Sequence, residues 1–159
     1  MIDFTSLEND DWYIINDGVM GGLSKGKTTK TDDGVTFYGS VSLENNGGFT
    51  SFRAPWDEYD LTNYKEVTIR YRSEGMRLAF VMETSQRFWI PNYKVGLSNS
   101  EEWITETFQL EDFKQYRLGD PTGKSFSDEV KDEIIRVGFI TNEKRAGDFK
   151  FEVAMVEFN

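Results

Sequence analysis

Histidine and cysteine are both missing from this chain of 159 residues. Their absence removes Ser-His-Asp and Cys-His nucleophilic sites, disulfide bonds, and the preferred ligands of structural and catalytic zinc. Carboxylate, lysine, tyrosine and arginine chemistry is what remains; the residue pattern favours none of it, so neither an enzyme activity nor a cofactor is expected. Long apolar runs are missing as well. Nowhere do about eighteen apolar residues follow one another, so no helix is expected to insert into a membrane. The opening residues, Met1-Ile2-Asp3-Phe4-Thr5, carry neither the basic nor the apolar part of a signal peptide, which predicts a soluble cytoplasmic protein. Positive charge is the third deficit: 18 Lys and Arg stand against 28 Asp and Glu, a formal charge of -10. That field repels phosphate backbones and anionic lipid surfaces, so nucleic acid is not an expected partner.

What the chain has in abundance is short alternating segments divided by turn residues. Trp12-Tyr13-Ile14-Ile15 is a bulky apolar run that ends at the turn signal Asn16-Asp17-Gly18. Residues 23–31, rich in Ser, Thr and Lys, predict a polar edge strand whose lysines oppose edge-to-edge pairing. After the hairpin signal Asp32-Asp33-Gly34, Val35, Phe37, Gly39, Val41 and Leu43 alternate with Thr36, Tyr38, Ser40 and Ser42, the period of a half-buried strand. Residues 49–53 continue in strand until Pro55 interrupts the ladder. Val67, Ile69 and Tyr71 repeat the alternation, and Met76, Leu78, Phe80 and Met82 resume it beyond the turn Ser73-Glu74-Gly75. Further strands are expected over residues 87–95, bent at Pro91, over 103–110 and over 134–141. The last strand should place Phe149, Phe151, Val153 and Met155 inward. Residues 111–123 predict an irregular excursion, and Ser125 and Ser127 ahead of Asp128, Glu129 and Glu133 predict one short capped helix. Eight or nine strands with at most one helix specify an all-β class, an antiparallel β-sandwich, in a single domain over residues 1–159.

Two glycine clusters interrupt the strands: Asn16-Asp17-Gly18-Val19-Met20-Gly21-Gly22-Leu23-Ser24 and Asn45-Asn46-Gly47-Gly48-Phe49. The first runs into Gly21-Gly22-Leu23-Ser24-Lys25-Gly26-Lys27-Thr28, which satisfies the phosphate-loop pattern GxxxxGK[ST]. Phosphate binding by that pattern needs a helix leading out, whose aligned N–H groups face the phosphates. Here Thr28-Thr29-Lys30-Thr31 leads instead to a turn at Asp32-Asp33-Gly34, so no nucleotide site is expected. The acidic groups Glu101-Glu102 and Asp128-Glu129 with Asp132-Glu133 suit solvated faces better than an acid/base pair. Loop carboxylates offer oxygen ligands to calcium, but no EF-hand spacing occurs and no metal ligands are assigned. Trp56, Tyr59, Trp89, Tyr93 and Trp103 suggest sugar stacking, although rings of this size also fill the cores of small sandwiches.

Taken together, Trp12, the loop at residues 16–24, the segment Phe37-Tyr38-Gly39-Ser40-Val41-Ser42-Leu43-Glu44-Asn45-Asn46-Gly47-Gly48-Phe49, Ser51 and Arg53 resemble the complex I intermediate-associated protein 30 family, the assembly-factor family of NADH:ubiquinone oxidoreductase. The likeness continues more loosely through Tyr93, Trp103, Leu110, Phe113, Ile135, Gly138, Gly147, Phe149 and Val156. It implies a galactose-binding-domain-like jelly roll and a non-enzymatic, chaperone-like role in assembling a respiratory complex. Ser73-Glu74-Gly75 replaces the family's usual Gly-Asp-Gly turn, and a mitochondrial targeting segment and a long N-terminal extension are not seen, as expected of a short prokaryotic stand-alone member. A protein partner is expected, with a carbohydrate as the alternative ligand. The expected contact surface comprises Asp17, Gly18, Met20, Gly21, Gly22 and Ser24 from the first loop and Asn46, Gly47, Gly48, Phe49 and Arg53 from the second. Glycines there let a partner approach the backbone, Met20 offers an adaptable apolar contact and Arg53 a bidentate donor. The other role open to these glycines is structural, as hinges of close strand packing. Alanine at Gly21 and Gly22 separates the two: a structural role predicts loss of the cooperative unfolding transition, and a contact role predicts an intact transition with lost partner capture.

Overall fold

Side chains that alternate in polarity can bury one face of a strand and wet the other, and two such sheets close over a shared core. The computed structural model describes residues 1–6, 10–17, 22–44 and 48–159. Its strands are β1 (Ile2–Asp3), β2 (Tyr13–Asn16), β3 (Lys25–Thr31), β4 (Gly34–Val41), β5 (Thr50–Arg53), β6 (Glu66–Gly75) and β7 (Leu78–Glu83). They continue with β8 (Asn92–Gly96), β9 (Ser100–Gln109), β10 (Lys114–Arg117), β11 (Asp120–Ser125), β12 (Arg136–Thr141) and β13 (Gly147–Phe158). One sheet has the order β3-β4-β13-β6-β9, with β1 also paired to β13; the other has the order β11-β10-β8-β7-β12-β5-β2. All pairings are antiparallel. The result is the all-β sandwich that the alternation predicts.

Rings from both sheets interlock between them. Phe139 of β12 and Phe151 of β13 have centroids 4.7 Å apart, and Phe52 of β5 meets Phe37 of β4 at 5.8 Å. Trp12 closes one end against Phe4, Phe52 and Phe139. Each fully buried phenylalanine contributes roughly 1.5–3 kcal/mol. The lysine-rich β3 is an edge strand, as expected, and it continues as strand where a phosphate loop requires a helix.

Four local expectations are corrected. Residues 87–90 are not strand: β8 begins only at Asn92, and the preceding loop leaves Phe88 and Trp89 exposed. The excursion at 111–123 is an ordered hairpin of β10 and β11, turned by Leu118 at φ 51° and Gly119 at φ 84°. Two successive positive φ values are what a tight hairpin turn requires, and Leu118 carries no sequence cue for one. The capped helix is a three-residue 3-10 turn at Asp128–Val130, and Ser127 makes no side-chain cap bond to it. Met155 does not face inward with Phe149, Phe151 and Val153. A bulge between Val153 and Met155 resets the period, so Val156 is buried and Phe158 packs on the core.

Asp17 ties the two sheets at the β2–β3 edge. Its carboxylate is buried and accepts hydrogen bonds from the Ser24 backbone N–H at 3.0 Å and from the Ser24 hydroxyl. It also accepts from the backbone N–H groups of Gly48 at 2.6 Å and Phe49 at 3.1 Å. Ser24 Oγ in turn accepts from Ser42 N at 2.9 Å, which carries the link to the chain leaving β4. Burial alone would raise the Asp17 carboxyl, but the donors from Ser24, Gly48 and Phe49 outweigh it and hold it below the ordinary carboxylate value. A depressed folded value means that the stability contributed by Asp17 is present above about pH 4 and is lost as the pH falls through the folded value. Asp17→Ala should lower unfolding stability by on the order of 3 kcal/mol, because buried donors are left unpaired. Urea melts at pH 7 should show that loss, and melts near pH 3, closer to the folded value, should show a smaller one.

Candidate functional site

Strand register decides which side chains share the outer face of the seven-stranded sheet. Tyr13 lies opposite Arg53, Arg53 opposite Gly138, Gly138 opposite Val81, Val81 opposite Lys94, and Lys94 opposite Lys114. One step along, Arg136 lies opposite Glu83, Glu83 opposite Asn92, and Asn92 opposite Tyr116. Polar, charged and aromatic side chains are thus aligned across six strands, on the side turned away from the core. The parity follows from the apolar set of each strand: once Phe52, Val137, Phe80 and Tyr93 point inward, their neighbours in sequence point out.

A buried ion network forms the floor of this face. The Glu83 carboxylate receives Arg53 Nη1 on Oε1 and Arg136 Nε on Oε2, and Arg136 Nη2 adds a bond of 3.0 Å. Arg136 Nη1 donates to Tyr13 Oη at 2.8 Å, and Arg53 Nε donates to Ser51 Oγ at 2.8 Å. The loop after β5 runs beside β12, with Ala54 N on Val137 O at 3.0 Å and Asp57 N on Ile135 O at 2.9 Å. That course lays the Trp56 ring over Arg136, 3.7 Å from the guanidinium carbon to the centroid. Gly138 makes room for Arg53: a Cβ there would lie 2.8 Å from Phe52 O and 3.0 Å from both Cα and Cγ of Arg53. Burial lowers the Arg53 guanidinium despite Glu83, whereas Arg136, equally subject to burial, is held above its ordinary value by bonds to Glu83 and Tyr13.

Lys94 is the third cation. Burial pushes its ammonium down to about 8, and the nearby charges of Lys144 and Arg53 act in the same direction. It donates to Asn142 Oδ1 at 3.1 Å and sits 4.1 Å above the centroid of the Tyr116 ring. Among the described residues, no carboxylate lies within ion-pair distance of it. A chain with a formal charge of -10 therefore places Arg53, Arg136 and Lys94 on one face, where Glu83 pairs with the two arginines.

The end of the same face carries exposed apolar groups. Phe88 is 71% exposed, Leu118 60%, Trp89 44% and Ile90 37%, and Trp56 sits across β7 at 36%. Arg117 Nε donates to Trp89 O at 3.3 Å, which fixes the 84–91 loop to the β10–β11 turn. Scattered single apolar side chains need no explanation, but a cluster rimmed by cations has the composition of a contact surface.

Sequence-predicted contact residues divide clearly. Gly18, Met20, Gly21, Asn46 and Gly47 lie outside the described residues. Asp17 and Ser24 are buried against one another, Gly22 N donates to Asp17 O at 3.0 Å, and Gly48 and Phe49 give their N–H groups to Asp17. Of the two roles open to the loops, the hydrogen bonds of these residues serve the structural one. Arg53 alone of the described set reaches the outer face. Among the rings singled out for sugar stacking, Tyr93 is in the core, Trp103 lies beneath Arg70 and Arg72 on the opposite sheet, and Trp56 and Trp89 border the face described here. Glu83 and Arg136 carried one cue, an ionisable group abutting an apolar strand without an intervening turn residue, whereas Lys94 and Tyr116 lie in polar strands and carried none.

The sequence matches the family described as complex I intermediate-associated protein 30 over residues 2–153. The chain belongs to this family. No curated protein matches it in sequence. Among solved structures it is similar to the family 11 carbohydrate-binding module of the cellulosomal cellulase Lic26A-Cel5E of Clostridium thermocellum, with a TM-score of 0.68, 13% identity, and coverage of 99% of this chain and 91% of that one. A family 11 module from Clostridium thermocellum in complex with a β-1,3-1,4-mixed-linked tetrasaccharide is similar at TM-score 0.61 and 13% identity, covering 99% and 92%. At such identities the likeness establishes a shared fold. In this family member, no helix among the described residues is long and apolar enough to cross a membrane.

Glu83→Ala should destabilise the protein by about 3–5 kcal/mol, since it leaves two guanidinium groups buried without their counter-ion. Thermal melts measure the loss; Glu83→Gln should retain part of the stability through its remaining acceptor.

Proposed function

We propose that this member of the complex I intermediate-associated protein 30 family is a non-catalytic binding domain that docks a protein, within the assembly of a respiratory complex, through the outer face of the seven-stranded sheet. The observation that carries this is the exposed cluster Phe88, Trp89, Ile90 and Leu118 beside the cationic floor. Aromatic and arginine side chains are the ones that dominate protein interfaces, and a buried ion network beneath them presents a rigid, pre-organised surface. The family's description supports the choice of a complex I intermediate as the assembly.

A carbohydrate is the second ligand class, favoured by the fold shared with family 11 modules and by the rings Trp56 and Tyr116 on the same face. Arg136 and Lys94 each cover one face of these rings and leave the other for a ligand. The exposed apolar cluster Phe88, Trp89, Ile90 and Leu118 lies outside that pair of rings, and it favours the protein reading.

The doubly substituted Phe88→Ala, Trp89→Ala variant should fold as the parent does, because both side chains are exposed. Affinity capture from the native host with cross-linking and mass spectrometry should recover respiratory-complex subunits with the parent chain and lose them with the variant. Equal recovery by both, or tight calorimetric binding of the mixed-linked tetrasaccharide with no protein recovered, contradicts the proposal.

A further inference from the structure

The apolar rim and the cationic floor are continuous along two neighbouring strands. On β8 the outer face passes from Trp89 and Ile90 in the preceding loop to Asn92 and then Lys94; on β10 it passes from Leu118 in the turn to Tyr116 and then Lys114. Asn92 is paired with Tyr116 and Lys94 with Lys114, so each step along one strand is matched on the other. Asn92 to Lys94 is about 7 Å, and the whole track is about four residues of an extended chain. At its far end two ammonium-bearing side chains face each other directly across strands, an arrangement that is unfavourable by itself. Groups facing Lys94 from the packed elements are Arg53 on β5, Val81 on β7 with Glu83 two residues further along, Lys114 and Tyr116 on β10, and Asn142 and Lys144 beyond β12. Glu83 is already claimed by Arg53 and Arg136, and Lys144 pairs with Asp120 at 3.1 Å. Lys94 is left as a half-buried cation with amide and ring neighbours only. Asn92 Oδ1, between rim and floor, is buried and has no hydrogen-bond partner among the described residues.

We infer that this track receives an extended acidic segment of the protein partner, its apolar side chains on Trp89, Ile90 and Leu118 and a carboxylate two to four residues further on against Lys94 and Lys114. This rests on the docking face proposed above and specifies the chemistry of its occupant. A local group of cations, Lys94 and Lys114 with Lys144 nearby, selects such a segment over neutral ones. Lys94 gains the counter-ion it lacks, so its proton is held more firmly in the complex than in the free protein.

The probe is a fluorescein-labelled peptide, Leu-Phe-Gly-Glu-Asp-Glu, compared by anisotropy with its Gln-Asn-Gln counterpart. The parent chain should prefer the acidic peptide by about tenfold at low salt, less at high salt. Lys94→Gln should abolish the preference, Lys94→Arg should restore most of it, and Trp89→Ala should weaken both peptides alike. In lysines labelled by reductive 13C-methylation, the Lys94 resonance should titrate at higher pH when the acidic peptide is bound. An unchanged preference in Lys94→Gln overturns the inference while leaving the rim as a docking site. No effect of Trp89→Ala with Lys94 dependence intact removes the rim from the docking face and keeps the carboxylate contact. Binding of trigalacturonate at Lys94 with no binding of either peptide overturns both and assigns the face to an acidic saccharide.

Discussion

The Glu83 carboxylate is the contact on which the outer face of the seven-stranded sheet depends. It stands at the end of β7 between guanidinium groups delivered by β5 and β12, so three strands distant in sequence are held by one anion. Burying charges is expensive, and a well-packed apolar replacement is often no less stable. What the network provides instead is geometry. Arg53 is fixed over Gly138 by Glu83 and Ser51, Arg136 is sandwiched between Tyr13 and Trp56, and neither guanidinium is free to collapse onto Lys94 or away from it. Lys94 and Lys114, opposite each other on β8 and β10, are then cations of the face without an anion among the described residues.

A second buried carboxylate does the opposite work at the edge of the sandwich. Asp17 spends its acceptor capacity on Ser24, Gly48 and Phe49, and through Ser24 reaches the backbone at Ser42. This closes the margin between β2 of one sheet and the β3–β4 hairpin of the other. The described residues of the glycine loops, Asp17, Ser24, Gly48 and Phe49, are thus tied to one another at the edge, whereas the charged outer face is built from residues outside those loops.

Much of the architecture was legible because alternation is a local property: β4 and β6 bury Val35, Phe37, Val41, Val67, Ile69 and Tyr71 as their polarity pattern assigns, although Leu43, read as inward with them, lies beyond the end of β4 and is exposed. The misses have local causes too. The β10–β11 hairpin turns on a leucine with positive φ, which no propensity anticipates, and a single extra residue near Ala154 moves Met155 out of the inward set. The face was far less legible than the fold. Glu83 and Arg136 are 53 positions apart, and Arg136 reaches back across 123 positions to Tyr13, so the network exists only once register is set. The phosphate-loop pattern illustrates the converse: eight residues of correct spelling, of which Lys25 to Thr28 lie in an edge strand, have no helix leading out to make the motif work.

The central claim is that the outer face of the seven-stranded sheet, with its apolar rim and cationic floor, is where a partner docks. Hydrogen–deuterium exchange on the chain alone and on the chain cross-captured with its partner tests this most directly. The account predicts new protection in residues 86–95 and 114–119, with residues 36–40 and 68–74 of the opposite sheet unchanged. Protection confined to the opposite sheet, or to the glycine loops at residues 17–24 and 45–49, would contradict it.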